Sequence, residues 1–129
     1  MVSRLRGQTD TIVVNHTKFV IVQKSKWVEG SRDTIIKLYR IDSIGKPTYL
    51  LTHTIFKRSG DCNNIFEDIG SYQIENDKII FITDYLQRGN DPIPEKRKQI
   101  YQVRSNGKLI EIYDKQLVPW ADGWVNTDQ

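Results

Sequence analysis

The sequence predicts an all-β domain: eight antiparallel strands in two four-stranded meanders, packed as a β-sandwich or a closed barrel. Three observations lead there. Ile, Val, Tyr, Thr and Phe gather in short runs separated by polar turns, the composition of half-buried pleated surfaces. No stretch joins a helical apolar period to capping residues, and Ile65 to Ile69 offers one helical turn at most. The chain also matches itself. A shift of 60 residues lays Thr11–Val22 over Ser71–Ile82, each reading strand, polar turn, lysine, apolar strand. A shift of 62 lays Leu38–Lys46 over Ile100–Lys108, with Tyr, Ser, Gly and Lys coinciding.

The elements follow in order. Strands at about 11–14 and 18–25 flank the turn Asn15–Thr17, and strands at 34–42 and 47–57 flank Ser43–Lys46. The second unit places strands at 70–75 and 78–86 around Glu75–Asp77, and at 97–104 and 108–114 around Ser105–Gly107. Asn106-Gly107 is the stronger hairpin signal, because a tight reversal wants a residue tolerant of positive φ. Ile79, Ile80, Phe81 and Ile82 are apolar on both faces and predict a central strand. Strand 97–104 alternates, which turns Tyr101 and Val103 inward and, by the repeat, Tyr39 and Ile41 as well. The whole chain, 1–129, reads as a single domain with units at 11–57 and 70–114 and a tail at 115–129.

Bulk properties narrow the functional classes. Hydrophobic residues at 38% and charged residues at 27% give an ordinary globular balance, and no apolar run approaches the ~20 residues of a membrane-spanning helix. The basic N-terminus lacks the apolar segment of a secretory signal, so the expectation is a protein that stays where it is made or a trimmed exported form. The net charge of +3 is spread along the chain, with Lys96-Arg97-Lys98 its one tight cluster, which argues against nucleic acid. Tyr101 between Lys98 and Arg104 is a faint stacking pattern confined to one strand. The single Cys62 excludes a disulfide framework and a multi-cysteine metal site.

A meander reverses at every strand, so successive connections alternate between two ends. One end receives the short turns. The other receives residues 1–10, Lys26–Asp33, Arg58–Ile69, Gln87–Lys96 and the tail, with Trp27, Trp120, Trp124 and Cys62 among them. Trp120, after Leu117-Val118-Pro119, reads as a plug over an open sheet end.

Catalytic chemistry finds little footing. His16 sits in a turn at the end opposite Cys62, about 25 Å away along an eight-residue strand, and His53 reads as a hydrogen-bonded strand histidine. Two histidines and one cysteine are too few for zinc. Asp61, Glu67, Asp68, Asp91 and Glu95 share the long-connection end without the spacing of a cation loop, and no glycine-rich phosphate loop occurs. Asn15-His16-Thr17 matches the short glycosylation acceptor pattern. No cofactor is implied. The expectation is a non-catalytic module that engages a protein or polysaccharide through Trp27, Arg32, Arg58, Arg88 and Asp91 on the long-connection rim. The alternatives are a barrel carrying a small apolar ligand and a hydrolase using rim carboxylates.

Overall fold

A computed structural model of the chain describes residues 9–28, 30–60, 65–88, 95–120 and 123–126. Nine strands form one antiparallel sheet in sequence order. They are β1 (Thr9–Val14), β2 (Thr17–Val28), β3 (Ser31–Ile41), β4 (Pro47–Gly60), β5 (Ile65–Glu75), β6 (Lys78–Arg88), β7 (Glu95–Val103), β8 (Leu109–Trp120) and β9 (Gly123–Asn126). All eight expected strands are present. The described residues contain no helix, and so none long and apolar enough to cross a membrane.

Turn chemistry fixes the hairpins. Asn15 and His16 both take positive φ, 48° and 65°, which a two-residue turn needs if its twist is to match the flanking strands. In the next turn the Asp42 Oδ1 accepts from the Ile44 and Lys46 amides at 3.0 and 2.8 Å. Between β7 and β8, Gly107 has φ 84° and its amide donates to the Arg104 carbonyl at 2.8 Å. A Cβ there would lie 3.0 Å from the Arg40 side chain and 3.1 Å from Thr17.

The sheet curls until its two halves share one core. Val14, Phe19, Ile21, Ile36 and Leu38 come from the first three strands, and Ile79, Phe81 and Val103 from β6 and β7. Direct bonds tie the halves together. Asn15 donates to the Val103 carbonyl at 2.8 Å, and Arg40 donates to the Gly107 carbonyl at 3.1 Å. The bend lies where β4 changes partner, pairing with β3 up to Phe56 and with β5 from Phe56 to Gly60. An irregularity beside Ile55 marks the change, as a bulge does where a sheet turns a corner. Gly70 lets β5 approach here: a Cβ on it would overlap the Thr54 carbonyl oxygen and sit 2.9 Å from His53 Nε2. The buried His53 stacks on Phe81 at 4.8 Å and donates from Nε2 to the Ser71 carbonyl at 3.1 Å, the structural role expected of it.

Several expectations change. Among the described residues β1 and β9 do not pair, so the sheet is not closed into a barrel. Ile65 to Ile69 is strand paired to both β4 and β6 rather than a helical turn. Much of what reads as long loop is extended hairpin, because strand pairing continues through polar residues once a neighbour exists. Tyr101 packs against the core and Val103 lies within it, as expected. Tyr39 and Ile41 do not point inward: they alternate with the core residue Leu38 and with Arg40, the cross-strand partner of buried Phe19. The shift of 62 residues therefore lays an outward tyrosine over an inward one, since one residue of register reverses every side chain.

Candidate functional site at the long-hairpin end

Even-numbered strands share one direction, so the β2–β3, β4–β5, β6–β7 and β8–β9 connections lie at one end of the sheet. Two features are built there. The first is an arm. β1 accompanies β2 only to Val22, and β4 accompanies β3 only from Thr34 onward. The pairs Lys26–Asp33, Trp27–Arg32 and Val28–Ser31 consequently have no third strand among the described residues. Trp27 is 73% exposed and directly faces the exposed Arg32. The Ser25 and Thr34 hydroxyls bond at 2.9 Å beneath them. At the arm's root a cleft of about 280 Å³ runs between Lys24, Lys26, Lys37, Asp33 and Ile35. One carboxylate oxygen of Asp33 is buried there without a hydrogen-bond partner, which leaves an acceptor to be satisfied.

The second feature is a cleft of about 290 Å³ across β5 to β8, lined by Phe66, Asp68, Tyr85, Leu86, Gln87, Glu95 and Gln116. Asp68, Tyr85 and Glu95 form one cross-strand row. Gln116 donates to Glu95 at 3.0 Å. Next to them Arg97 grips Asp114 through two parallel bonds of 2.8 and 2.7 Å. Burial raises the Asp68 carboxyl above its ordinary range, against the opposing pull of Lys57. Burial likewise raises the Tyr85 hydroxyl, opposed by Arg97. The bond from Arg97 holds Asp114 below the usual carboxylate range, and the guanidinium is held protonated in return. Burial and the 3.1 Å bond to Glu111 push the Tyr101 hydroxyl up to about 12. The cleft therefore offers carboxylates, amides and aromatic faces but no poised nucleophile.

The structure brings Trp27 and Arg32 together as neighbours. Arg58 is exposed on β4 opposite Glu67, in a different strand pair. Arg88 ends β6 opposite Ile65, and its side chain is outside the described set, as are those of Trp120 and Trp124. Asp91 and Cys62 lie outside the described residues. The cleft residues Tyr85, Gln87 and Gln116 were missed by the sequence reading. Tyr85 falls within the expected strand 78–86, whereas Gln87 and Gln116 lie in stretches read as loop and tail, and none of the three carries a local sequence signal of a site. Among the described residues no group of three or more His, Cys, Asp or Glu side chains could hold a metal ion. No family model, curated protein or solved structure matches this chain.

Proposed function

We propose that the domain is a non-catalytic binding module that engages a protein or polysaccharide through its long-hairpin end. One observation carries this: an indole 73% exposed and set against an arginine on an arm that has no third strand among the described residues. Tryptophan and arginine are the side chains on which binding energy concentrates, because each contributes large area with a directed polar group. At 73% exposure most of the indole surface is open to a partner. The test uses the purified chain on a peptide array and a glycan array. Binding should vanish in Trp27→Ala and Arg32→Ala variants of unchanged thermal stability; variants that bind as well as the parent chain overturn the reading.

A second reading is favoured by the placement of Asp68 and Glu95 in one cleft, with Asp68 pushed toward its protonated form. Two strand spacings put their backbones about 10 Å apart, and inverting glycoside hydrolysis needs the two carboxyl groups themselves roughly 6.5–9.5 Å apart. In that reading Asp68 is the acid and Glu95 the base. Release of nitrophenol from aryl glycosides, lost in both Asp68→Asn and Glu95→Gln, supports it. A wild-type chain that releases none removes it.

A further inference from the structure

Side chains alternate between the two faces of a strand, so pairing sorts the charges of β2 and β3 by face. Phe19 and Ile21 turn toward the core, and Leu38 and Ile36 do the same from β3. The alternate positions put Lys18, Lys24 and Lys26 of β2 and Lys37 of β3 on the opposite, outward face. The register of this pair runs without a shift from Lys18–Ile41 to Val28–Ser31, so the four ammonium groups stay on one side. Tyr39 shares that face, and so does Tyr49, its cross-strand partner on β4. We infer that this outward face of β2 to β4 binds a single-stranded nucleic acid, its phosphates neutralised by the four lysines and a base stacked on Tyr49.

Charge is the first support. On the outward face of β1 to β3, Asp33 is the single carboxylate among the described residues, so four cations stand against one anion. The outward face of β5 to β8 carries as many lysines, Lys78, Lys96, Lys98 and Lys115. There Glu67, Glu75 and Asp84 oppose them, with Lys96 and Asp84 3.8 Å apart. Strand alternation thus collects on the first half an excess of three positive charges from lysines that are scattered along the sequence. Lys18, Lys24 and Lys26 are exposed, and Lys24, Lys26 and Lys37 converge at the root of the arm. From Lys18 to Lys26 the strand advances roughly 26 Å at ~3.3 Å per residue, an open track rather than a pocket. A nucleic-acid backbone needs no more than that.

The aromatic pair decides which polyanion. Tyr49 is 53% exposed, its ring is packed edge-on against Tyr39 at 5.8 Å, and its hydroxyl bonds Thr52 at 2.5 Å. The ring is therefore held in place while much of its surface stays open. Tyr39 stands two residues from Lys37 on the same face, so aromatic and cationic groups adjoin, the combination on which single strands are bound. An acidic polysaccharide would engage the lysines but brings no nucleobase to stack. The inference is independent of the surface proposed on the arm, because Trp27 and Arg32 alternate with Lys26 and Asp33 and leave the arm on its other side.

The experiment follows the fluorescence anisotropy of labelled oligo-dT and oligo-rU of about 12 nucleotides, titrated with the full chain over a series of salt concentrations. Saturable binding of at least one is expected, and at least fivefold tighter than binding of a duplex of equal length. Lys24→Gln combined with Lys37→Gln should weaken it at least fivefold and make the salt slope shallower by about 1.4, two phosphate contacts at ~0.7 each. Lys98→Gln combined with Lys108→Gln, which loses the same charge elsewhere, should change it less than twofold. Tyr49→Ala should weaken binding at least threefold and Tyr49→Phe less than twofold. Failure of both oligonucleotides to saturate, or equal effects of the two lysine pairs, overturns the site. Full affinity in Tyr49→Ala, or tighter binding of the duplex, overturns the assignment to a single strand.

Discussion

The two ends of the sheet are built by different rules. At the short-turn end the chain reverses in a few residues, and side chains reach from one half to the other: Asn15 to Val103, Arg40 to Gly107. At the long-hairpin end strands continue beyond their neighbours, and its shortest side-chain bonds join strands within one half, although Tyr72 of β5 also donates to Asp10 of β1 at 3.5 Å. Arg97–Asp114, Lys96–Asp84 and Gln116–Glu95 are contacts within one half. The first end joins the halves, and the second leaves each half to present its own surface. Stability should therefore depend on the bend and on the joined end, and recognition by macromolecules on the open one.

The largest expected effect probes the bend. Gly70→Ala would drive a methyl group into the Thr54 carbonyl and against His53, and should cost at least about 3 kcal/mol in urea unfolding. Gly30→Ala on the arm meets no atom within 4 Å and should cost only about 1 kcal/mol for its positive φ. Equal costs would mean that the bend is not where the halves are tightly joined.

Acid separates the same regions by pH window. Burial lowers the His53 pKa below 6.5, with its backbone bonds to Ser71 and Ile82 opposing. The unfolded chain then binds the proton more readily, so this stability is complete above pH 6.5 and declines as pH falls through the folded value. Asp114, lowered from 3.8 by Arg97, contributes fully above pH 3.8 and is lost as pH falls through its own depressed value. Urea midpoints should drop in two stages. His53→Leu should flatten the upper stage and Asp114→Asn the lower. The Arg97–Asp114 pair is part-exposed, 41% and 28% for its side chains, so its removal at pH 7 should cost no more than about 1 kcal/mol.

The contrast between the ends was legible in the sequence, because alternation and turn residues are local signals. Asn15-His16, Asn106-Gly107 and the two-faced run Ile79–Ile82 placed strands and reversals correctly. The bend was not legible. It depends on β4 exchanging β3 for β5 at Phe56 and on the absent side chain of Gly70, both long-range facts that carry no periodic trace. Polar strand extensions hid the Asp68–Tyr85–Glu95 row, since Arg58–Gly60 and Gln87–Arg88 resemble loop until a neighbouring strand pairs with them. The lysine face was hidden for another reason. Its charges are scattered over β2 and β3, and only the pairing of the two strands gathers them.

A smaller effect sharpens the joined end. His16→Gly relieves the positive φ and should raise stability by about 0.5 kcal/mol, the gain being limited by the greater freedom of glycine in the unfolded chain. Urea unfolding measures the gain, and a variant less stable than the parent chain would show that His16 makes contacts that outweigh its backbone cost.

The smallest expected effect lies on the arm. Trp27 is 73% exposed, so truncating it removes little buried area, and Trp27→Ala should move the urea midpoint by less than about 0.5 kcal/mol. Its intrinsic fluorescence tests the same surface directly. An indole in water emits at long wavelength, and docking of a partner on the arm should shift that emission to shorter wavelength. Trp120 and Trp124 also emit, so the difference between the parent chain and Trp27→Ala isolates the arm signal. A destabilisation of 2 kcal/mol or more would mean that Trp27 packs on the protein itself, and the distinction between a joined end and a presenting end would fail at its most exposed residue.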